Sequence, residues 1–271
     1  MLFKNNKQPL KRLSSLALLL LSFINPSQPA KAETYIVGLQ NFDYYPHYNF
    51  TSDQDRGFIW AVLELYASES GHTFIYQTMP VPRLQIELAK GTVDLIYPDN
   101  PIFHPGITES TEKHYSVDVV KTLSGAIIKR TNVNMEINEV SKVSLPFGFT
   151  PLDWKGKEKN GDIDFVETED SLSALQLVEQ GKTDVAEVDY FVTSYLSEAN
   201  PTIGEFTLSP VLPHNIVGFK LASIKQHVLI KQINDFLTSN ESRIDELKLK
   251  YGIHDPENLI KDIQSAYVRS E

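Results

Sequence analysis

The chain has 271 residues, of which 35 are acidic and 25 basic, and it contains no cysteine. A length of this order accommodates one large domain or two moderate ones. Without cysteine there is neither a disulfide framework nor a lipid-carrying cysteine, so an ordinary packed core must stabilise the fold. The excess of acid repels nucleic acid and anionic membranes, and neither is therefore an expected partner.

The first 32 residues have the order of parts that is typical of a secretory signal peptide. A basic segment comes first, with Lys4, Lys7, Lys11 and Arg12. The apolar run that follows at 13–24 is too short to span a bilayer of about 30 Å as a helix, which disfavours the alternative of an uncleaved anchor. Ala30-Lys31-Ala32 is a small-x-small cleavage site. We therefore expect cleavage after Ala32 and a periplasmic location.

The chain that remains after cleavage carries 20 basic and 35 acidic residues, a net charge of −15. Such a charge favours solubility. It also leaves a preference for a cationic ligand as an open alternative.

Strands and helices alternate along the first part of this chain. A short β-rich run at 34–39 leads into a loop at 40–56 that is rich in Tyr, Asn, Asp and Pro. Apolar spacing predicts a helix at 57–70, and a strand is expected at 73–77. A helix at 82–90 ends at Gly91, and a buried strand follows at 93–97. This order predicts an α/β protein with a parallel sheet, whose ligands bind beyond the carboxyl ends of the strands.

The middle of the chain repeats this plan. A strand at 142–146 leads into the turn Gly-Phe-Thr-Pro at 148–151. A helix is expected at 171–180, with Asp170 or Ser171 as its N-cap, and a strand at 185–188. A strand at 216–221 and helices at 226–240 and 241–251 close the chain, and we expect these helices to cover the first lobe.

Two segments 90 residues apart, 87–101 and 177–191, share one pattern of helix, Gly-x-x-Asp, strand and acid. The matching positions are Gly91, Asp94 and Asp99 in the first and Gly181, Asp184 and Asp189 in the second. Each Gly and each first Asp is interpreted as a helix stop and a turn. Asp99 and Asp189 follow strands, so both would border one cleft if two similar lobes face each other.

Taken in order, these segments resemble the family 3 extracellular solute-binding proteins, the polar amino-acid receptors of bacterial ABC importers. The resemblance covers nearly the whole chain after the signal. It rests on the order of Tyr45-Pro46, Gly57, Leu88-x-x-Gly91-x-x-Asp94, Ile107-Thr108, Tyr115-Ser116, Gly148-x-Thr150, Gly181-x-x-Asp184 with Asp189, and Lys250-Tyr251-Gly252.

The resemblance implies a two-lobed α/β fold, in which each lobe is a mainly parallel sheet flanked by helices and two hinge strands join the lobes. The first lobe would comprise 33–122 and 216–271, and the second 123–215. A small polar solute, an amino acid or a related amine, would bind between the lobes, and hinge closure would bury it. The implied protein is a monomer without a cofactor, and its partner is an inner-membrane ABC permease or a membrane sensor.

The resemblance also implies roles for particular residues. Tyr44 or Tyr45 corresponds to the aromatic residue that packs on the ligand. Asp189 corresponds to the acid that receives the ligand's amino group. Thr150, after Gly148, corresponds to the turn that receives a carboxylate.

One position departs from the family pattern. Thr111 stands where the family usually has an arginine that forks onto the ligand's carboxylate, and a hydroxyl does not replace a bidentate donor. Arg83, at the start of a helix, is the best substitute, with a surface arginine as the alternative. Asn100, beside Asp99, is expected either to contact the ligand or to form a turn. Trp154 is assigned to the core.

No catalytic motif stands out in the sequence. There is no His-Glu-x-x-His pair, no Gly-x-Ser-x-Gly elbow, no phosphate-binding loop and no thiol. A metal site formed by Asp43, His47 and His104 is a disfavoured alternative. We therefore expect a binding protein rather than an enzyme, with two alternatives, a periplasmic sensor subunit and a dehydratase or lyase on the same fold.

Overall fold

The computed structural model describes residues 1–2, 32–103, 111–154, 157 and 161–269. The expected signal peptide lies almost entirely outside these ranges, as do Ile107 and Thr108. Residues Ala32–Glu271 form one compact unit, to which the following description applies. No helix in the described ranges is long and apolar enough to cross a membrane.

The described ranges contain ten strands and seven α-helices. The strands are β1 (Thr34–Gln40), β2 (Thr73–Met79), β3 (Leu95–Asp99), β4 (His114–Tyr115), β5 (Val120–Lys129), β6 (Lys142–Pro146), β7 (Asp164–Thr168), β8 (Val185–Asp189), β9 (Phe206–Leu208) and β10 (His214–Ser223). The helices are α1 (Phe58–Ser70), α2 (Val81–Lys90), α3 (Ser171–Glu179), α4 (Tyr190–Ala199), α5 (His227–Ser239), α6 (Glu241–Lys250) and α7 (Pro256–Val268).

The sheet is built from two parallel blocks joined by antiparallel strands. Its order is β2-β1-β3-β10-β5-β8-β6-β7, with β4 paired to β10 and β9 paired to β5. Strands β2, β1 and β3 run parallel, as do β7, β6 and β8. We call the half with the first block the first lobe and the half with the second block the second lobe. The α/β class and the mainly parallel lobes are confirmed.

Strands β5 and β10 connect the two lobes. The last part of β10 pairs with β3 and β4 of the first lobe, while residues 214–219 pair with β5. Strand β5 in turn pairs with β8 and β9 of the second lobe. These two long antiparallel strands are the expected hinge strands.

The same aspartate-to-backbone hydrogen bond occurs in both lobes. Asp94 Oδ2 accepts a hydrogen bond from the backbone N–H of Ile36 at 2.8 Å. Asp184 Oδ2 accepts one from the backbone N–H of Lys142 at 2.9 Å. Each aspartate thus ties the turn after a helix to the start of the lobe's central strand, and the structural interpretation of the repeated Gly-x-x-Asp pattern is correct.

Helices cover both faces of the sheet. The largest apolar cluster contains α1, α5 and α6 residues such as Phe58, Ile233 and Ile244. A smaller cluster packs Leu84 and Leu88 of α2 against the opposite face of the first lobe. Since α5 contacts β10 and α6 contacts α1, the closing helices do cover the first lobe. A third cluster surrounds Trp154, which has no exposed surface, so its assignment to the core is correct.

Candidate functional site

A cavity of about 60 Å³ lies between the two lobes, beside the hinge strands β5 and β10. The first lobe contributes Gln40, Tyr44, Tyr48, Pro98 and Phe103 to its wall. The second lobe contributes Phe149, Thr150, Leu152 and Glu187. Ser124 of β5 and Val217 and Phe219 of β10 complete it. The wall thus draws on the loop after β1, the ends of β3 and β8 and the turn after β6, as expected for a ligand site at the carboxyl ends of parallel strands.

Tyr44 lies at the centre of the aromatic part of this wall. Its ring stacks on that of Tyr48 at 5.2 Å and meets the edge of Phe149, from the second lobe, at 5.7 Å. Burial, and then the charges of Asp189 and Glu187, raise the pKa of Tyr44 well above its usual value. Tyr44 is therefore a neutral phenol whose ring forms part of the wall.

Glu187 supplies the carboxylate of the cavity wall. It lies on β8 with only 5% of its surface exposed. The indole Nε1–H of Trp154 donates a hydrogen bond of 2.8 Å to Glu187 Oε2. Because a buried carboxylate is costly unless it is hydrogen-bonded or paired, this contact both stabilises the group and fixes its orientation. Sequence reasoning did not single out Glu187.

Asp189, the acid that the resemblance assigned to the ligand's amino group, is fully buried behind the wall. Its Oδ1 accepts backbone N–H bonds from Phe191 at 2.8 Å and Val192 at 3.0 Å, so it is the N-cap of α4. The same oxygen lies 3.2 Å from His47 Nε2, and Thr122 donates to Oδ2. Asp189 does not line the cavity, and its contact with a ligand stays a prediction.

Thr122, His47 and Asp189 form a hydroxyl–imidazole–carboxylate cluster without the geometry of a catalytic triad. In a triad the two nitrogens of the imidazole face the nucleophile and the acid separately. Here Nε2 of His47 faces both Thr122 and Asp189, and Nδ1 has no partner among the described residues. All three side chains are fully buried. The cluster therefore joins structural elements rather than presenting a nucleophile.

Asp99 is the last residue of β3, just as Asp189 is the last residue of β8. It is also buried, and both of its carboxylate oxygens have partners. Its Oδ2 forms an ion pair of 2.8 Å with Lys113 Nζ, and its Oδ1 accepts from the backbone N–H of Asn100. The side-chain amide of Asn100 donates to the carbonyl of Gly218 on β10 at 2.7 Å. These contacts favour the turn interpretation of Asn100, and neither residue lines the cavity. Their ligand contacts stay predictions.

The other predicted residues lie around the cavity rather than in its wall. Arg83 is exposed, and its Nε lies 3.6 Å from Oε1 of Glu87. It lines two wider surface grooves. Tyr45 is half-buried and packs on Tyr195 at 4.6 Å. Gly148, with a φ of +82°, lies against Pro82 of the first lobe, so the lobes touch here. Of the predicted residues, only Tyr44 and Thr150 line the cavity.

The disfavoured metal site gains no support from the described residues. Asp43 accepts the backbone N–H of Tyr45, and His47 faces Asp189, while His104 lies outside the described ranges. No group of three or more acidic or histidine side chains that could hold an ion occurs in the part of the chain that the structure describes.

Comparisons with known proteins find similarity in structure alone. No family model matches the chain, and no curated protein matches it. Among solved structures, an arginine transport periplasmic binding protein from Legionella pneumophila is 18% identical with a TM-score of 0.65, over 81% of this chain and 100% of that one. A histidine kinase sensor domain with similarity to periplasmic binding proteins is 15% identical with a TM-score of 0.64, over 80% of this chain and 95% of that one.

A third solved structure is an ancestral amino-acid-binding protein, a precursor of cyclohexadienyl dehydratase. It is 17% identical with a TM-score of 0.63, over 80% of this chain and 95% of the other. At these identities the likeness concerns the fold, and it confirms the fold that the sequence resemblance implied. This chain has the fold of the two-lobed periplasmic binding proteins.

Proposed function

We propose that this protein is a periplasmic solute-binding protein that captures a small solute between its two lobes. The observation that carries this proposal is the composition of the cavity wall, in which Tyr44 of the first lobe and Phe149 and Glu187 of the second line one cavity. A site shared between lobes couples binding to closure, because a ligand that contacts both lobes favours the closed form.

Export and transport belong to the same proposal. A signal peptide cleaved after Ala32 would deliver the protein to the periplasm, where an ABC permease or a membrane sensor would receive the closed form. The arginine transport protein and the histidine kinase sensor domain among the similar structures support both kinds of partner. The lobe boundaries at 122/123 and 215/216 are part of this proposal.

Binding without catalysis is supported by the chemistry of the wall. The hydroxyl–imidazole–carboxylate cluster lies behind the wall and lacks triad geometry, and the described residues of the wall include one carboxylate, Glu187, which accepts a hydrogen bond from Trp154. Because one of the similar structures is a precursor of a dehydratase, the enzyme alternative predicts that a bound solute is chemically changed. Recovery of that solute unaltered, checked by mass spectrometry, separates the two functions.

A thermal-shift screen tests the proposal directly. Amino acids, polyamines, small peptides, amines and organic acids are added to the protein without its first 32 residues. A ligand of the folded form should stabilise it by about 2.7 kcal/mol at one hundred times its Kd. Small-angle scattering with the same ligand should show a more compact particle as the lobes close.

A matched pair of variants ties the effect to the cavity. Ser124 lines the cavity from β5, whereas Ser194 is exposed on α4. We expect Ser124→Phe to fill the cavity and abolish the ligand-induced shift, and Ser194→Phe to preserve it. A full shift in Ser124→Phe, or no shift with any solute class in the unmodified protein, contradicts the proposal.

A further inference from the structure

Two histidine rings lie next to each other in the first lobe, away from the cavity wall. His114 belongs to β4 and is half-buried, whereas His227 is the first residue of α5 and is exposed. Their ring centroids lie 5.7 Å apart, and the ring planes are inclined at 52°. Neither ring forms a hydrogen bond or an ion pair with the described residues. No described group therefore competes with a ligand for the nitrogens of this pair.

The backbone around both histidines is fixed by hydrogen bonds. Strand β4 pairs with the end of β10, where His114 lies opposite Ser223. Ser223 Oγ accepts the backbone N–H of Gln226 at 2.9 Å, and the side chain of Gln226 donates to Asp94 Oδ1 at 3.0 Å. These bonds hold the turn between β10 and α5, and His227 follows this turn directly. Two side chains on rigid elements bind one ion without a large loss of backbone entropy.

The geometry of the two rings fits a shared metal ion. A bond from zinc to an imidazole nitrogen is about 2.0–2.1 Å long and lies in the plane of the ring. Two imidazoles on one tetrahedral ion therefore have centroids roughly 5–6 Å apart, and the observed distance is 5.7 Å. Because each nitrogen lone pair lies in its ring plane, a shared ion must lie where the two planes intersect. Stacked rings have no such line, whereas planes inclined at 52° have one.

The chemistry of the two ligands selects a class of ion. Imidazole suits Zn²⁺, Cu²⁺ and Ni²⁺, whereas Mg²⁺ and Ca²⁺ prefer oxygen ligands. The two neighbouring lysines are engaged elsewhere, since Lys113 pairs with Asp99 and Lys225 Nζ lies against Gly91. The excess of acidic residues in the chain favours cations in general. A late divalent transition-metal ion is therefore the expected ligand.

We propose that His114 and His227 form a two-histidine site for a divalent transition-metal ion such as Cu²⁺, Ni²⁺ or Zn²⁺. Each ring gives one nitrogen, and water completes the coordination of the ion. The ion ties β4 to the start of α5, because the two histidines belong to these elements. Neither histidine is part of the described cavity wall, so this site is separate from the proposed solute-binding function.

Titration calorimetry with Ni²⁺ tests whether the site exists. The protein is prepared without its first 32 residues and without a polyhistidine tag, in a buffer that does not coordinate metals. We expect one ion per chain with a Kd on the order of micromolar, and a rise in Tm of about 5 °C or more at one hundred times this concentration. Absence of binding up to about 1 mM Ni²⁺ overturns the proposal.

Single variants distinguish one shared ion from two separate ones. His114→Gln and His227→Gln should each weaken binding about tenfold or more, and the second substitution should add much less than the first, because a single ring remains in either case. Two independent sites would instead lose half of the bound metal in each single variant at unchanged affinity, which contradicts the proposal. His254→Gln, at another exposed histidine, should leave the affinity within about twofold.

A displaced histidine provides a geometric control. Val228 is 57% exposed and follows His227 in α5. Val228→His combined with His227→Gln keeps the number of histidines but turns the ring by about 100° around the helix. This double variant should bind no more tightly than His227→Gln alone. Recovery of the full affinity would show that the pairing with His114 is irrelevant and would sink the proposal.

Electron paramagnetic resonance of bound Cu²⁺ gives a readout that does not depend on stability. The unmodified protein should show coupling to two ring nitrogens, and His114→Gln and His227→Gln should each show coupling to one. The same single-nitrogen spectrum in all three proteins contradicts a shared ion. Urea unfolding without metal checks that each variant is folded, so that weaker binding is not due to unfolding.

Discussion

Nε2 of His47 lies 3.2 Å from Oδ1 of Asp189, and neither side chain has any exposed surface. His47 belongs to the loop after β1 in the first lobe, whereas Asp189 ends β8 in the second. The ring of His47 packs at 5.2 Å from that of Phe219, a residue of the cavity wall. A buried polar contact between the lobes therefore lies directly behind the cavity.

This arrangement predicts a large structural role for Asp189. Asp189→Ala should lower the free energy of unfolding by roughly 2–5 kcal/mol, because the buried donors of Phe191, Val192 and Thr122 lose their acceptor. Urea unfolding measures the loss.

Asp170 offers a matched control, since its side chain caps α3 through one bond to Ser173 at a half-buried site. Asp170→Ala should cost about 1 kcal/mol. Equal losses at the two caps would show that the buried contacts of Asp189 contribute nothing. Asp189→Asn, which keeps an oxygen for the cap, should fall between the two.

Gly148 allows the two lobes to approach each other closely. A Cβ atom at this position would meet Pro82 Cδ at 3.0 Å, and the φ of +82° disfavours any residue with a side chain. Gly148→Ala should therefore strain this contact between the lobes and weaken ligand binding by about fivefold or more, which corresponds to about 1 kcal/mol. Calorimetry measures the affinity.

A variant at Gly181 distinguishes the effect of backbone strain from the effect of contact between the lobes. Gly181 has a φ of +65°, and no atom of the described residues lies within 4 Å of its missing Cβ, so Gly181→Ala introduces backbone strain without a contact between the lobes. Its stability should fall by about 1 kcal/mol while the affinity for ligand stays unchanged. An equal loss of affinity in both variants would argue against closure at Gly148.

The repeated plan of the two lobes could be predicted from the sequence because its signals are local. A helix stop at Gly91 or Gly181 and an aspartate three residues later act through neighbours in the chain and through one strand start. The strands and helices around them were accordingly predicted to within a few residues. Helix α4 was not predicted, because its aromatic and β-branched residues resemble a strand and its N-cap is the buried Asp189.

The site could be predicted only in part. Strand β8 is buried along its whole length, so alternation does not reveal which face of the strand Glu187 occupies. The partners of Asp99 and Asp189, Lys113 and His47, come from distant parts of the chain. Their pairing depends on the tertiary fold, which no local pattern encodes.

The contributions of Trp154 and Glu187 to the free energy of unfolding should be strongly coupled. Trp154→Phe removes the indole donor, and Glu187→Leu removes the charged acceptor. We expect a coupling energy of about 1.5–3 kcal/mol in a double-mutant cycle measured by urea unfolding, because the bond is buried and one partner is charged. The pair Trp154→Phe and Glu167→Leu serves as the control, since Glu167 is exposed on β7, and should show coupling near zero. Additive losses for Trp154 and Glu187 would contradict the hydrogen bond.

The buried ion pair between Lys113 and Asp99 predicts that a second substitution restores part of the stability lost when the lysine is replaced. Lys113 is 4% exposed and Asp99 fully buried, so Lys113→Met leaves an uncompensated carboxylate and should cost about 3–5 kcal/mol. Adding Asp99→Asn to Lys113→Met removes that charge and should restore part of the loss. Lys90→Met, at a lysine that is 60% exposed and pairs with Glu87, should cost about 1 kcal/mol or less. If the double variant is less stable than Lys113→Met, the loss comes from packing of the lysine chain rather than from the unpaired charge.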